Sequence, residues 1–138
     1  MISGLSHITF IVNDLEKMTR IITEALGGRE VYDSGANQYS ISPEKFFDVA
    51  GIWIAVMQGE ALPTRTYNHV AFKVSADQLA KAKLAIERLG LELRESRPRI
   101  DGEAQSLYFY DDDNHLFELH TGTLEDRLAA YQELDRKP

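Results

Sequence analysis

The first half of this 138-residue chain is echoed by the second. Segment 5–12 (LSHITFIV) aligns with 67–74 (YNHVAFKV) at an offset of 62, so that His7 falls on His69, Phe10 on Phe72 and Val12 on Val74. A repeat constrains the fold more than any single motif, because each copy is a supersecondary unit that must bury its apolar face against a neighbour. Both segments alternate apolar and polar residues, the pattern of a half-buried strand. Each leads into a helix with a short polar start, Asn13 with Glu16 and Ser75 with Gln78. Apolar stripes follow, Leu15, Met18, Ile22 and Ala25 in the first helix and Leu79, Ala82, Ile86 and Leu89 in the second. Both helices close on Leu-Gly, at Gly27 and Gly90, glycine being suited to a helix C-terminus. Strand-like segments complete each copy, at roughly 30–32, 39–41 and 52–57, then 92–95, 107–110 and 116–120. The expected fold is therefore α+β: two tandem βαβββ modules, over about 1–60 and 66–122, forming a curved mixed sheet. A terminal helix over about 123–134 completes a single domain, 1–138.

With 43% hydrophobic residues the chain has material for a real core. No apolar run approaches the ~20 residues that span a bilayer, and the first residues carry no basic segment followed by an apolar stretch. The net charge of −7 speaks against nucleic acid or an anionic membrane as a partner. The absence of cysteine excludes disulfides, thiolate metal sites and a cysteine nucleophile. A soluble, cytoplasmic, single-domain protein is what these exclusions leave.

Strand alternation assigns the chemistry to one face. Ile8, Phe10 and Val12 form a core face, as do Val70, Phe72 and Val74, Leu107 and Phe109, and Phe117 and Leu119. Opposite them lie His7 and Thr9, then His69, then Ser106, Tyr108 and Tyr110, then Glu118 and His120. Two histidines at equivalent repeat positions with a glutamate on the same face make a divalent-metal set. Imidazole and carboxylate suit Mn, Fe, Co or Zn, and three protein ligands leave room for a substrate oxygen. The repeat would put a fourth ligand at Ala55, which falls on Glu118, and that position is blank. His115, in an Asp-Asp-Asp-Asn-His turn, and His120 read as structural or supporting residues.

Other residues admit two readings. Ser42, Pro43 and Glu44 look like a helix start, with Ser as cap, Pro first and an acid in the first turn. Equally, Phe46 and Phe47 would give Glu44 the apolar setting that suits a carboxylate base. Arg127 on the terminal helix is either part of a solvated face with Glu125 and Asp126 or an anion-binding group, since arginine binds such oxygens bidentately. Thr9 and Tyr67 neighbour the two histidines. Trp53 shares a face with Ala55 and would wall a pocket. Arg97 and Arg99 flank Pro98 in a loop, as surface charges or anion contacts.

The stretches 1–9 (MISGLSHIT), 42–47 (SPEKFF), 66–72 (TYNHVAF), 97–99 (RPR) and 106–128 (SLYFYDDDNHLFELHTGTLEDRL) are specific. With His7, His69 and Glu118 on paired βαβββ modules, they resemble the vicinal oxygen chelate superfamily and, within it, the hydrolytic branch of the fosfomycin resistance proteins. The resemblance implies a Mn(II)-dependent hydrolase, without organic cofactor, that adds water to the epoxide of fosfomycin to give a vicinal diol. It implies an intertwined homodimer in which His7 of one subunit joins His69 and Glu118 of the other. It makes Glu44 the general base, and Arg127, Tyr108 and Ser106 contacts to the phosphonate, with Thr9, Tyr67 and Trp53 as further substrate neighbours. Sister enzymes open the same epoxide with glutathione or another thiol, and a drug-sequestering protein is the non-enzymatic rival. One departure is Ala104 and Gln105, where related sequences tend to have Gly-Arg.

Overall fold

Alternation in segment 7–12 produces β1 (His7–Val12), and the repeat produces its counterpart β5 (His69–Lys73). The computed structural model describes residues 1–37, 39–94 and 104–137. After β1 come α1 (Leu15–Arg20), β2 (Arg29–Asp33), β3 (Glu44–Val49) and β4 (Ile52–Gln58). After β5 come α2 (Ala76–Arg88), β6 (Glu92–Arg94), β7 (Ser106–Tyr110), β8 (Leu116–His120) and α3 (Leu124–Asp135). Each half builds its own four-stranded mixed sheet, in the order β1-β4-β3-β2 and β5-β8-β7-β6. In each, the first strand pairs parallel with the last and the remaining pairs are antiparallel. The three helices and two sheets are the expected α+β pattern of paired βαβββ units.

One core joins the halves. Phe10, Val12, Phe47 and Ile54 from the first and Phe72, Ile86, Phe109 and Phe117 from the second belong to a single buried cluster, and Phe10 meets Phe117 at 5.2 Å between ring centroids. Each such side chain contributes about 1.5–3 kcal/mol by leaving water. Phe10, Val12, Phe72, Phe109 and Phe117 are among the residues that alternation assigned inward. The opposite face of each sheet therefore turns away from the shared core.

Four local expectations are corrected. The segment at 42–44 is not a helix start: Glu44 opens β3, and the Pro43 carbonyl accepts the Gln58 N–H at 2.9 Å. A proline at the head of a strand costs no ladder bond, and the two-residue alternation that buries Lys45, Phe47 and Val49 overrides the cap signature. The segment 39–41 is not a strand; Tyr39 and Ile41 are exposed because 44–49 pairs with β4 in their stead. The first helix is capped by Asp14, whose side chain accepts the Lys17 N–H, and not by Asn13, whose own N–H goes to Asp113. That helix also widens into a π-turn over Ile21–Ala25. Thr19 and Thr23 bond back to the carbonyls of Leu15 and Thr19, a habit that loosens helices. Finally, Ser75 stands at the N-cap of α2 without a side-chain capping bond.

Candidate active site

In the second sheet, register sets Ala71 and Tyr108 beside Glu118, and Lys73 and Ser106 beside His120. His69, Ser106, Tyr108, Glu118 and His120 thus share the open face, as alternation requires. His69 Nε2 lies 3.0 Å from Glu118 Oε1, and His69 Nδ1 lies 2.7 Å from the Tyr67 carbonyl oxygen. A carbonyl oxygen only accepts, so Nδ1 carries the hydrogen and Nε2 is left to face a carboxylate oxygen. Two acceptors this close need a cation between them, a proton or a metal ion. An imidazole fixed by a hydrogen bond from its far nitrogen is the usual metal-binding arrangement. Atoms that each sit ~2.1 Å from one ion, at adjacent positions, are about 3 Å apart. The residues fit a divalent ion.

Glu118 is only 4% exposed. Burial opposes its ionisation, yet hydrogen bonds from Ser106 and Tyr108 and the nearby His120 and His69 outweigh that and hold its carboxyl below the usual glutamate range. Ser106 Oγ donates to Glu118 Oε2 at 2.6 Å and lies 2.7 Å from His120 Nδ1. The Tyr108 hydroxyl is 3.1 Å from that of Tyr67. Burial, then Tyr67 and Glu118, push the Tyr108 phenol well above its ordinary range, so it stays a neutral donor.

In the first sheet, His7, Thr9, Glu44, Phe46, Trp53, Ala55 and Met57 share the open face. The His7 ring lies 4.2 Å from that of Trp53, which meets Phe46 at 5.2 Å. Glu44 is bracketed by Ser34: its N–H donates to Ser34 Oγ at 3.1 Å and its carbonyl accepts the Ser34 N–H at 3.0 Å. The next residue, Lys45, points inward to Glu16 and Glu30 at 2.8 and 3.0 Å. Because successive strand residues face opposite ways, anchoring Lys45 inside keeps Glu44 outside. Of the two phenylalanines beside Glu44, only Phe46 shares its face; Phe47 is in the core.

His7 does not join His69 and Glu118 within the chain: among the described residues no three His, Cys, Asp or Glu side chains form a metal-binding group. Arg127 is half-buried on α3, its N–H bonded to the carbonyl of Thr123, the α3 cap. Arg97 and Arg99 lie outside the described residues. His115 is structural, its Nδ1 2.7 Å from the buried Asp111 carboxylate. Sequence reasoning does not single out Arg65 and Arg94. The Arg94 guanidinium lies 4.7 Å from the Tyr67 ring centre and that of Arg65 lies 4.0 Å from the Tyr110 ring centre. For Arg94 the available signal is its register opposite Tyr108. A cavity of about 640 Å³ between the modules, walled by Val49, Phe72, Ala82 and Leu119, contains none of these candidates. A second, of about 390 Å³, has His69 in its wall. The site is read from its donor groups and not from cavity size, because an open sheet face is no cavity until something covers it.

Comparison with known proteins bears on this geometry. Residues 4–119 match the model of the Glyoxalase/Bleomycin resistance protein/Dioxygenase superfamily. The fosfomycin resistance protein FosX of Mesorhizobium japonicum is 57% identical over 129 residues, covering 94% of this chain and 93% of that protein. A crystal structure of a glutamate-to-glutamine mutant of FosX from Listeria monocytogenes is complexed with Mn(II) and 1S,2S-dihydroxypropylphosphonic acid. It is 50% identical, covers 95% of this chain and 99% of its own, and has a TM-score of 0.85. The metallothiol transferase FosB of Lysinibacillus sphaericus is 32% identical over 135 residues, covering 95% of this chain and 91% of its own.

Proposed function

The chain belongs to the Glyoxalase/Bleomycin resistance protein/Dioxygenase superfamily, and on that premise we propose that it is a Mn(II)-dependent hydrolase that opens the epoxide of fosfomycin with water and confers resistance to it. The observation that carries this reading is the 3.0 Å approach of His69 Nε2 to Glu118 Oε1, with His69 Nδ1 committed to a carbonyl. FosX relatives above half identity supply the substrate, and the diol bound with Mn(II) in one of them is what water addition to the epoxide yields.

His69 and Glu118 of one subunit, with His7 of its partner copy, would hold the metal. A homodimer, as the family resemblance implies, would supply the third ligand, since among the described residues of one chain no third such side chain joins His69 and Glu118. Trp53 and Ile11, 41% and 44% exposed on the first face, are apolar surface for that copy to cover. Bound there, Mn(II) supplies Lewis acidity toward the epoxide oxygen and lowers the barrier to ring opening. Glu44 accepts the proton of the attacking water as its oxygen bonds to a ring carbon. The carbon–oxygen ring bond breaks, and the departing oxygen takes up a proton to complete the diol. Arg127 and Tyr108 contact the phosphonate, Thr9 and Tyr67 adjoin the reacting groups, and Trp53 with Phe46 walls the site. This reading treats 1–138 as one vicinal oxygen chelate domain, with modules over about 1–60 and 66–122. The protein acts in the cytoplasm; among the described residues no helix is long and apolar enough to cross a membrane.

Phosphorus NMR of fosfomycin with protein and Mn(II), with and without thiols, tests the proposal. Diol formation without thiol is the expected result. Turnover only with thiol would make the chain a transferase of the FosB kind, and none in either case would leave a drug-sequestering protein.

A further inference from the structure

Ser106 cannot serve Glu118 and a substrate oxygen as donor at once, because a serine hydroxyl has one hydrogen. That hydrogen goes to Glu118 Oε2, 2.6 Å away. The ionised carboxylate has none to give back, so the short contact between Ser106 Oγ and His120 Nδ1, 2.7 Å, has its hydrogen on the imidazole. The direction of this relay follows from the Glu118 end: His120 Nδ1–H to Ser106 Oγ, then Ser106 Oγ–H to Glu118 Oε2. His120 Nδ1 is also 3.3 Å from the same Oε2. The other oxygen, Oε1, is the one that faces His69. All of this is held on two paired strands, Ser106 directly opposite His120 in the ladder.

We propose that His120 and Ser106 are positioning residues that act in series on Glu118, fixing Oε2 by hydrogen bonds so that Oε1 alone is presented to the metal. This rests on the metal-site reading of His69 and Glu118 and goes beyond it, since it moves Ser106 from a substrate contact to a support of the metal ligand and gives His120 a task. A carboxylate left free to rotate could offer either oxygen or both. One with Oε2 engaged keeps a single oxygen and a single direction, and hydrogen-bonded supports of this kind commonly set metal affinity within 10–100-fold.

The test measures Mn(II) affinity without substrate, by electron paramagnetic resonance titration and calorimetry, with thermal melts on every variant. Parent protein should bind Mn(II), and His69→Ala should lose that binding. Ser106→Ala and His120→Leu should each weaken it by about 10–100-fold and broaden the spectrum of bound Mn(II). His120→Asn, which keeps an N–H near the position of Nδ1, should recover most of the affinity. The double variant Ser106→Ala/His120→Leu should be little worse than either single one, since both break the same series. Unchanged Mn(II) affinity in Ser106→Ala, with only a higher KM for fosfomycin, would return Ser106 to the substrate and overturn the proposal. So would His120→Asn behaving like His120→Leu in protein that melts like the parent. Parent protein that binds no Mn(II), or His69→Ala that binds it normally, would instead sink the metal-site reading and the relay with it.

Discussion

Glu44 and Ser106 hold equivalent places in the two sheets. Glu44 pairs with Met57 across β3 and β4 just as Ser106 pairs with His120 across β7 and β8, and the 62-residue offset of the first strands also relates 44 to 106. The fold thus offers the same spot twice, one copy donating a hydrogen bond to the buried Glu118 carboxylate and the other carrying a carboxylate of its own. If the latter is the base, Glu44→Gln separates proton transfer from binding. Glutamine is nearly isosteric, the Ser34 bonds are to the Glu44 backbone and survive, and the His7, His69 and Glu118 set is untouched. Hydrolysis should fall by about 10²–10⁴-fold while Mn(II) and fosfomycin still bind. The check is a single-turnover rate beside a Mn(II) titration, and a near-parental rate would return Glu44 to the role of a strand-end acid.

At the level of elements, legibility followed periodicity. β4, β7 and β8 have edges within a residue of expectation, and β1 and β5, where polar and apolar residues take turns, start two residues into the segments 5–12 and 67–74. Segment 42–44 misled because a cap signature is three residues long and local, whereas the ladder to β4 is a tertiary fact. The π-turn at Ile21–Ala25 left no signal beyond its two threonines. The turn between β7 and β8 shows what composition alone hides. Its acids look like a solvated run, yet Asp111 and Asp113 are buried. Asp113 takes the Asn13 N–H at 3.0 Å and its carbonyl takes that of Leu62 at 3.1 Å, so it ties the first module and the linker to the second. Burial first, with Asp111 and Asp112 nearby, raises the Asp113 carboxyl above the usual aspartate range against the pull of Asn13 and His115. A raised folded value means stability fully present below the unfolded value of about 3.9 and lost as pH rises through the folded one. Asparagine keeps an acceptor for Asn13 and does not ionise. Asp113→Asn should melt a few degrees above the parent near pH 7, with the gain vanishing toward pH 4. Melting curves across that range decide it, and a difference that ignores pH would mean the charge is not what matters.

At the scale of the whole molecule, the repeat made the candidate ligands legible but not their separation. Sequence places His7, His69 and Glu118 on equivalent faces; the structure brings His69 and Glu118 together, and among the described residues of one chain no third such side chain joins them. That geometry makes a sharp prediction about mixtures. His7→Ala spoils the ligand a chain lends to its partner, and Glu118→Ala spoils the pair it keeps for the partner's histidine. Each homodimer should be inactive. In a dimer of one variant with the other, one site has lost both His7 and Glu118. The remaining site combines an intact His7 from the Glu118→Ala chain with an intact His69 and Glu118 from the His7→Ala chain. Random pairing of equal amounts makes half the dimers mixed, each with one good site, so about a quarter of parental activity should return after the two are unfolded and refolded together. Assays of the separate and co-refolded variants, with Mn(II) bound per dimer counted alongside, provide the check. Activity that stays at zero, in dimers shown to have mixed, would mean that all three ligands come from one chain.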